Sequence, residues 1–304
     1  MQPGFGLGLR GWNGKIQRSQ RALSRRWDVV QGRAGSTPTP VGAFWWDVQS
    51  NFGDQLNVDI LHHLGFAPQW SPAPTAELIP IGSLLEHLPA DFAGAIWGSG
   101  MIDDHMMELP RAQILALRGR LTWENLRRPP TPALGDPGLL ACSCYGPVSS
   151  IEAPLAIVPH LSHRQSGSVR HLQARFGGRV TIVDVTRPPA EVVRSIASSG
   201  AVISTSLHGL IVADSYGIPA AWWQPDPPLG GGTFKFRDYE SVVSPTTRRC
   251  HIDMDDSLDD LINKCRRAHP DTVTMAIQEL RSVLLNFRAT RRQRSRVSAA
   301  LHHP

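Results

Sequence analysis

The chain predicts an α/β fold of parallel sheets carrying helices on both faces, closed by C-terminal helices. Three observations point there. Short apolar runs alternate with helical patterns through residues 41–223, the signature of strand-helix-strand crossovers. The runs are continuously apolar rather than alternating, as expected of strands buried on both faces. Beyond residue 255 the pattern turns wholly helical. At 304 residues and 41% hydrophobic, the chain is long enough to bury a large core in two halves.

Seven strands are expected: "VGAFWW" (41–46), "AGAIWGSG" (93–100), "QILALRG" (113–119), "APLAIVPH" (153–160), "RVTIVDV" (179–185), "AVIST" (201–205) and "AAWW" (220–223). Each is too short for an independent helix and ends on a turn or polar residue. Helices are expected over 54–64, 119–126, 168–177, 189–200 and 208–217. "ACSCYGPVSSIEAP" (141–154) lacks strong periodicity and holds two prolines, so the boundary between two α/β halves is placed there. This gives a basic N-terminal segment (1–40), an N-terminal α/β half (41–147), a C-terminal α/β half (148–255), and C-terminal helices with a frayed basic tail (256–304). In the last part, "DSLDDLINKCRRA" and "DTVTMAIQELRSVLLNFRA" place apolar residues at three- and four-residue intervals.

The net charge of +5 belongs to the ends of the chain. Residues 1–33 carry seven basic residues against Asp28, and residues 281–304 carry six arginines and no acid. Setting those aside leaves 18 basic against 25 acidic residues in the body, the opposite of a nucleic-acid-binding footprint. Basic ends on an acidic body suit contact with an anionic membrane face, though solvated tails are the plainer reading. No apolar run reaches the roughly 18 residues of a membrane span, and no secretory h-region is present. Cys142, Cys144, Cys250 and Cys265 are irregularly placed, which favours reduced thiols in a cytoplasmic protein. Cys142 and Cys144 form a CxC pair with no second pair to complete a metal site, so no metal is expected.

In open parallel sheets, ligands gather where strand carboxyl ends lead into helix N-termini. Four such places carry suggestive residues. In "WWDVQSNFGDQLN" (45–57), Asn51, Gly53 and Asp54 precede an amphipathic helix; they suit a plain capped start, or a site in which Asp54 acts on a hydroxyl. In "WGSGMIDDH" (97–105), Gly98 and Gly100 flank Ser99 and permit close approach of a ligand or of backbone, without the third glycine of a dinucleotide fingerprint. In "LALRGRLTWENL" (115–126), Arg118 ends a strand and Arg120 opens a helix against its dipole, which implies either exposure or an anion that offsets it. "LAIVPH" (155–160) ends on His160, with His163 and Arg164 behind it.

A fifth stretch, "STSLHGLIVADSYGIP" (204–219), joins the strand "AVIST" to a buried helix stopped by Gly217 and Pro219. Ser204, Thr205 and Ser206 offer hydroxyls at that helix start, and His208 lies in its first turn. There the dipole depresses its pKa, so neutral imidazole is the expected resting form until an anion arrives. Nine tryptophans, among them Trp45, Trp46, Trp97, Trp222 and Trp223 near strand ends, divide between core packing and stacking on sugar faces.

"NFGDQLN", "IWGSGMI", "LALRGRLTWENL", "LGDPGLL", "IVPH", "IVDVTRP", "VISTSLHGLIVADSYGIP" and "FKFRDY" occur in an order and spacing that resembles the polysaccharide pyruvyl transferase family, in its bacterial exopolysaccharide branch. The likeness covers roughly residues 41 to 245. It implies two Rossmann-like domains similar to GT-B glycosyltransferases, phosphoenolpyruvate as donor, and a pyruvate ketal formed on two hydroxyls of a sugar in a surface or exported glycan. It calls for no cofactor. The implied catalytic residues are His208, Asp54 and His160. Arg118, Ser204, Ser206, Lys235 and Arg237 would hold the donor, since arginine matches both phosphate and carboxylate. Asn51, Gly53, Gly98, Ser99 and Gly100 would shape the acceptor side or its loops.

In other branches an arginine that binds phosphate stands two residues before the family histidine, where this chain has Ser206. "GGGTFKFRDYESV" is the expected replacement source of cations, as a mobile loop that closes over the donor. Two other readings stay open: a GT-B-like nucleotide-sugar glycosyltransferase, and a non-catalytic scaffold of a glycan pathway.

Overall fold

The computed structural model describes residues 37–130, 133–244 and 246–301, with side chains through residue 293. The basic segment over residues 1–33 therefore lies outside the described residues. Two parallel sheets fall in one compact unit, Thr39–Pro304. The first comprises β1 (Thr39–Ala43), β2 (Phe66–Trp70), β3 (Leu78–Ile79), β4 (Ala95–Trp97), β5 (Gln113–Leu117) and β6 (Ala133–Leu134), in the order β2-β1-β3-β4-β5-β6. The second comprises β7 (Ala153–Val158), β8 (Val180–Ile182), β9 (Ser199–Ser204) and β10 (Ala220–Trp222), in the order β10-β9-β7-β8. In both sheets the second strand lies to one side of the first and the third to the other. The direction of winding thus reverses between β1 and β3, and again between β7 and β9. A crevice opens at such a reversal because the flanking crossovers leave on opposite faces.

All seven expected strands form; β2, β3 and β6 are additional. Strand β2 includes Pro68 and is half-exposed, while β3 and β6 are two residues long, so none presents an apolar run. The helices are α1 (Phe52–His63), α2 (Arg120–Asn125), α3 (Ala141–Tyr145), α4 (Gly167–Phe176), α5 (Pro189–Ala197), α6 (Leu207–Ser215), α7 (Phe234–Val243), α8 (Leu258–Asn263) and α9 (Pro270–Leu301). Helix α1 starts at Asn51, whose side chain accepts from the Gly53 amide, with Asp54 in the first turn and His62 and His63 in the last. Helix α6 is buried along almost its whole length. It ends in a Schellman motif: Gly217, at φ +65°, donates to Asp214 O, and Ile218 donates to Ala213 O.

Two expectations fail. The "FKFRDY" segment is no loop: residues 234–243 form α7, whose Phe234, Lys235, Phe236, Asp238, Tyr239 and Glu240 are all buried. The C-terminal tail is no frayed end either, for α9 runs to Leu301 and packs on the first sheet. Leu280 and Leu284 are buried there, and Trp97 Nε1 donates to Leu280 O at 2.9 Å. Part of the C-terminal basicity is consumed in this contact. Arg288 and Arg292 donate to Thr39 Oγ1, and Arg291 pairs with Glu77 at 2.7 Å. No helix among the described residues is long and apolar enough to cross a membrane.

Helix α7 is fixed from two sides. Toward the first sheet, Asp238 pairs with Arg118 Nε at 2.9 Å, both side chains being fully buried, and also accepts from the amide and hydroxyl of Thr122. Toward the second sheet, Tyr239 donates to Asp214 of α6, and Glu240 accepts from Arg248 and from the Trp222 indole. Phe236 stacks on Trp222 with centroids 4.6 Å apart. Removing one partner of a buried pair strands the other charge. Arg118→Met therefore lowers unfolding free energy by about 3–5 kcal/mol, read as a fall in the urea midpoint; an unchanged midpoint contradicts the assignment.

Candidate functional site

A cavity of about 460 Å³ opens where the two winding reversals face each other. After β1 come Trp46, Gln49, Asn51 and, on α1, Asp54. After β3 come Gly82, Ser83 and His87, and after β7 comes His160. After β9 come Ser206 and His208, while Lys235 reaches in from α7. All four strand ends flanking the two reversals thus supply lining residues. The strand-end rule located this place from sequence for Asn51, Asp54, His160, Ser206 and His208.

Gly53 and Phe52 bring the two sheets into register at His208. A Cβ built on Gly53 would lie 2.1 Å from His208 Nδ1, so only glycine lets the imidazole approach the first turn of α1. Phe52 meets the same ring edge-on at 6.4 Å, and its amide donates to Val185 O across the sheets. His208 Nε2 is buried and has no protein partner, a state that buried polar atoms in folded proteins rarely keep. Burial, reinforced by the positive charges of Lys235 and Arg118, lowers the pKa of His208 to about 3. The imidazole is therefore a neutral base throughout the physiological range, as its place at a helix start implies, with desolvation as the main cause.

Asp54 behaves in the opposite sense. Loss of water raises its pKa to about 7, against the hydrogen bond from Asn51 Nδ2 at 2.9 Å and the charge of Lys235. His160 falls to about 4 through burial and Lys235, and its Nδ1 accepts from the Ser162 amide. Lys235 itself is lowered to about 8, chiefly by burial and then by Arg118, with Asp54 opposing. One ammonium thus acts on three titratable groups. Around it stand a carboxyl group protonated near neutrality and two neutral imidazoles, a set able both to donate and to accept protons.

Several other predicted residues lie behind the wall. Arg118 does not line the cavity; its guanidinium donates to Asp238, Ser83 Oγ and Met101 O. The anion implied at the start of α2 is Asp238, which approaches because Gly119 has no Cβ to strike it. Arg237 is exposed on α7 and pairs with Asp104 at 3.7 Å, away from the cavity. Gly98 packs against Pro137, Ser99 donates to Gly82 O, and Gly100 packs against the Arg118 guanidinium. These three glycine-loop positions pack against the protein itself and do not line the cavity. Ser204 is consumed in the turn, its hydroxyl accepting from the Ser206 amide at 3.0 Å. Ser206 makes no side-chain cap, so the first-turn amides of α6 receive none.

Three contributors carried no sequence signal. Ser83 and His87 follow a two-residue strand that no apolar run announces. Asn57 is fully buried and grips both the Ile81 amide and carbonyl, tying α1 to the loop after β3. His163, three residues after His160, does not line the cavity. It accepts from Thr205 Oγ1 and donates to Pro227 O, fixing the turn after β9 to the segment that leads into α7. Among the described residues, no group of three or more His, Cys, Asp or Glu gathers as a metal site.

Comparison with known proteins bears on the same residues. The polysaccharide pyruvyl transferase family model matches residues 107–223. The succinoglycan biosynthesis protein ExoV of Rhizobium meliloti (strain 1021) is 24% identical over 216 residues, 67% of this chain and 66% of that protein, just under two thirds of its length. Uncharacterized protein L143 of Acanthamoeba polyphaga mimivirus is 31% identical over 114 residues, covering 36% of this chain and 39% of that protein. A solved structure of an uncharacterized protein from Klebsiella pneumoniae subsp. pneumoniae NTUH-K2044 is 12% identical, covers 76% of this chain and 98% of its own, and superposes with a TM-score of 0.41. The matched segment holds His160 and His208 and is similar to the polysaccharide pyruvyl transferase family over 107–223, and the longer relative is a succinoglycan biosynthesis protein.

Proposed function

We propose that the protein transfers a pyruvyl group from phosphoenolpyruvate to two hydroxyls of a sugar, forming a ketal in a bacterial surface or exported glycan and releasing phosphate. The observation that carries this reading is the buried, unpartnered Nε2 of His208 beside a carboxyl group whose pKa is raised to about 7. Ketal formation needs that pairing of a base with an acid, and the cavity is large enough for a small phosphorylated acid with a pyranose beside it. On this reading the two winding reversals belong to two Rossmann-like domains, 41–147 and 148–255, arranged as in GT-B transferases. Helix α9, which follows the second sheet in the chain and packs on the first, supports that arrangement. The acceptor is free or lipid-linked. The basic N-terminal segment suits contact with an anionic membrane face from the cytoplasmic side.

Protons and bonds balance as follows. Lys235 and the uncapped amides at the start of α6 hold the donor's phosphate or carboxylate. Lys235 thereby supplies the cation that Ser206 lacks. Asp54, protonated, gives its proton to the enol methylene, and positive character develops at the carbon bearing phosphate. A sugar hydroxyl attacks that carbon while His208 Nε2 takes its proton. The C–O bond to phosphate then breaks, and phosphate leaves carrying the proton from His208. The second hydroxyl closes the ring and returns its proton to the Asp54 carboxylate. Neutral His160 stands beside this path as a binding or proton-relaying partner.

His208→Ala lowers phosphoenolpyruvate-dependent pyruvylation by about two orders of magnitude or more with the melting temperature preserved. The measurement is phosphate release with a one-pyruvyl mass gain across a panel of soluble and lipid-linked glycans. Wild-type activity below tenfold above that of the variant contradicts the assignment. A nucleotide-sugar transferase would instead release a nucleotide, and a scaffold would keep its partner in the variant.

The pH dependence has a definite sign. Asp54 must be protonated and its raised pKa is about 7, so kcat/KM falls as pH rises through about 7. Lys235 loses its charge through about 8, so the KM for phosphoenolpyruvate rises there. His208 stays neutral down to about 3 and sets no limb between pH 5 and 8. A rate that rises with pH between 6 and 8 contradicts these roles.

Gly53→Ala forces the imbricated His208 ring away from α1. The expected result is a loss of pyruvylation comparable to that of His208→Ala, and an imidazole pKa, read by NMR, that moves up from about 3 toward its ordinary value. Full activity in Gly53→Ala contradicts the role given to this contact.

A further inference from the structure

Of the five strand-end tryptophans, Trp45, Trp97, Trp222 and Trp223 are buried, while Trp46 is 42% exposed and lines the cavity. An exposed indole is costly to keep ordered unless something braces it. Here His87, from the loop after β3, stacks on Trp46 with centroids 5.1 Å apart and planes at 30°. His87 in turn meets Phe44 at 6.3 Å, and Phe44 meets Trp70 at 6.4 Å. A ladder of rings thus runs from the core of the first sheet to the cavity mouth. The stack covers one side of the Trp46 indole, and the residue keeps 42% of its surface exposed at the cavity.

We propose that Trp46, braced by His87, is the platform on which the acceptor sugar lies. The class of ligand is a pyranoside: its C–H groups carry partial positive charge and match the negative face of the indole, while its hydroxyls require polar partners. Gln49, on the same loop and lining the same cavity, supplies one such partner. The platform follows β1 and so does Asp54, which places a sugar lying on Trp46 with two neighbouring hydroxyls toward Asp54 and His208. The donor's anionic groups occupy the opposite side, at Lys235. This deepens the pyruvyl-transfer reading and rests on it only for the direction in which the hydroxyls point.

The test is saturation-transfer NMR on the full chain with methyl β-D-galactopyranoside and methyl β-D-glucopyranoside, without donor, beside a separate titration with phosphoenolpyruvate. The expected result is transfer to the C–H protons of at least one glycoside in the wild type. Trp46→Leu weakens that binding about tenfold, and Trp46→Phe stays within about threefold of wild type. Phosphoenolpyruvate binding is the same in all three. Equal glycoside binding by Trp46→Leu, no glycoside binding by the wild type, or loss of phosphoenolpyruvate binding in Trp46→Phe overturns the platform. Glycosides that bind through Trp46 in a protein that pyruvylates no acceptor leave the platform standing and defeat the transfer reading instead.

Discussion

The site depends on a helix that carries buried charge and is held by buried charge. Helix α7 brings Lys235 to the cavity, and its next residues anchor it. Asp238 is locked to Arg118 and Thr122 on the first sheet's side, and Tyr239 and Glu240 to Asp214, Arg248 and Trp222 on the second's. Such groups are expensive to bury alone and tolerable only in full mutual satisfaction. That requirement fixes α7 to both sheets at once, and with it the position of the ammonium. Asp214 belongs to α6, the helix whose first turn carries His208, so the network places the imidazole and the ammonium from one set of contacts.

The electrostatics follow from that placement. With little water in reach, the cost of an ionised group dominates every titration in the cavity, pushing Asp54 up and His160, His208 and Lys235 down. The outcome is a site with few fixed charges at rest. On the proposed function, a phosphate and carboxylate entering beside Lys235 would stabilise its ammonium and raise the basicity of the imidazoles, so donor binding and proton transfer would be linked through the same group. Gly53 makes this possible by letting α1 and α6 touch at their first turns.

Much of this is legible in the sequence. Parallel strands buried on both faces leave continuous apolar runs, which is why β1, β4, β5 and β7 to β10 were readable while the short strands β3 and β6 were not. Strand ends pointed to Asn51, Asp54, His160 and His208 because open sheets place ligands there. Helix α7 was unreadable for the reason that makes it important. Its buried Lys235, Asp238 and Glu240 break the amphipathic pattern, and their partners lie far away in sequence, Arg118 being 120 residues from Asp238. Arg118 invited an external anion for the same reason, and the anion proved to be internal. Gly98 and Gly100 marked close approach correctly, but of protein to protein.

The central claim is that the cavity at the two winding reversals receives phosphoenolpyruvate through Lys235. The most direct measurement is a calorimetric titration of phosphoenolpyruvate into the wild type and Lys235→Met, with UDP-sugars as competitors. The account predicts saturable binding that Lys235→Met weakens by about tenfold or more and that UDP-sugars do not displace. Binding of a UDP-sugar with no affinity for phosphoenolpyruvate would contradict it.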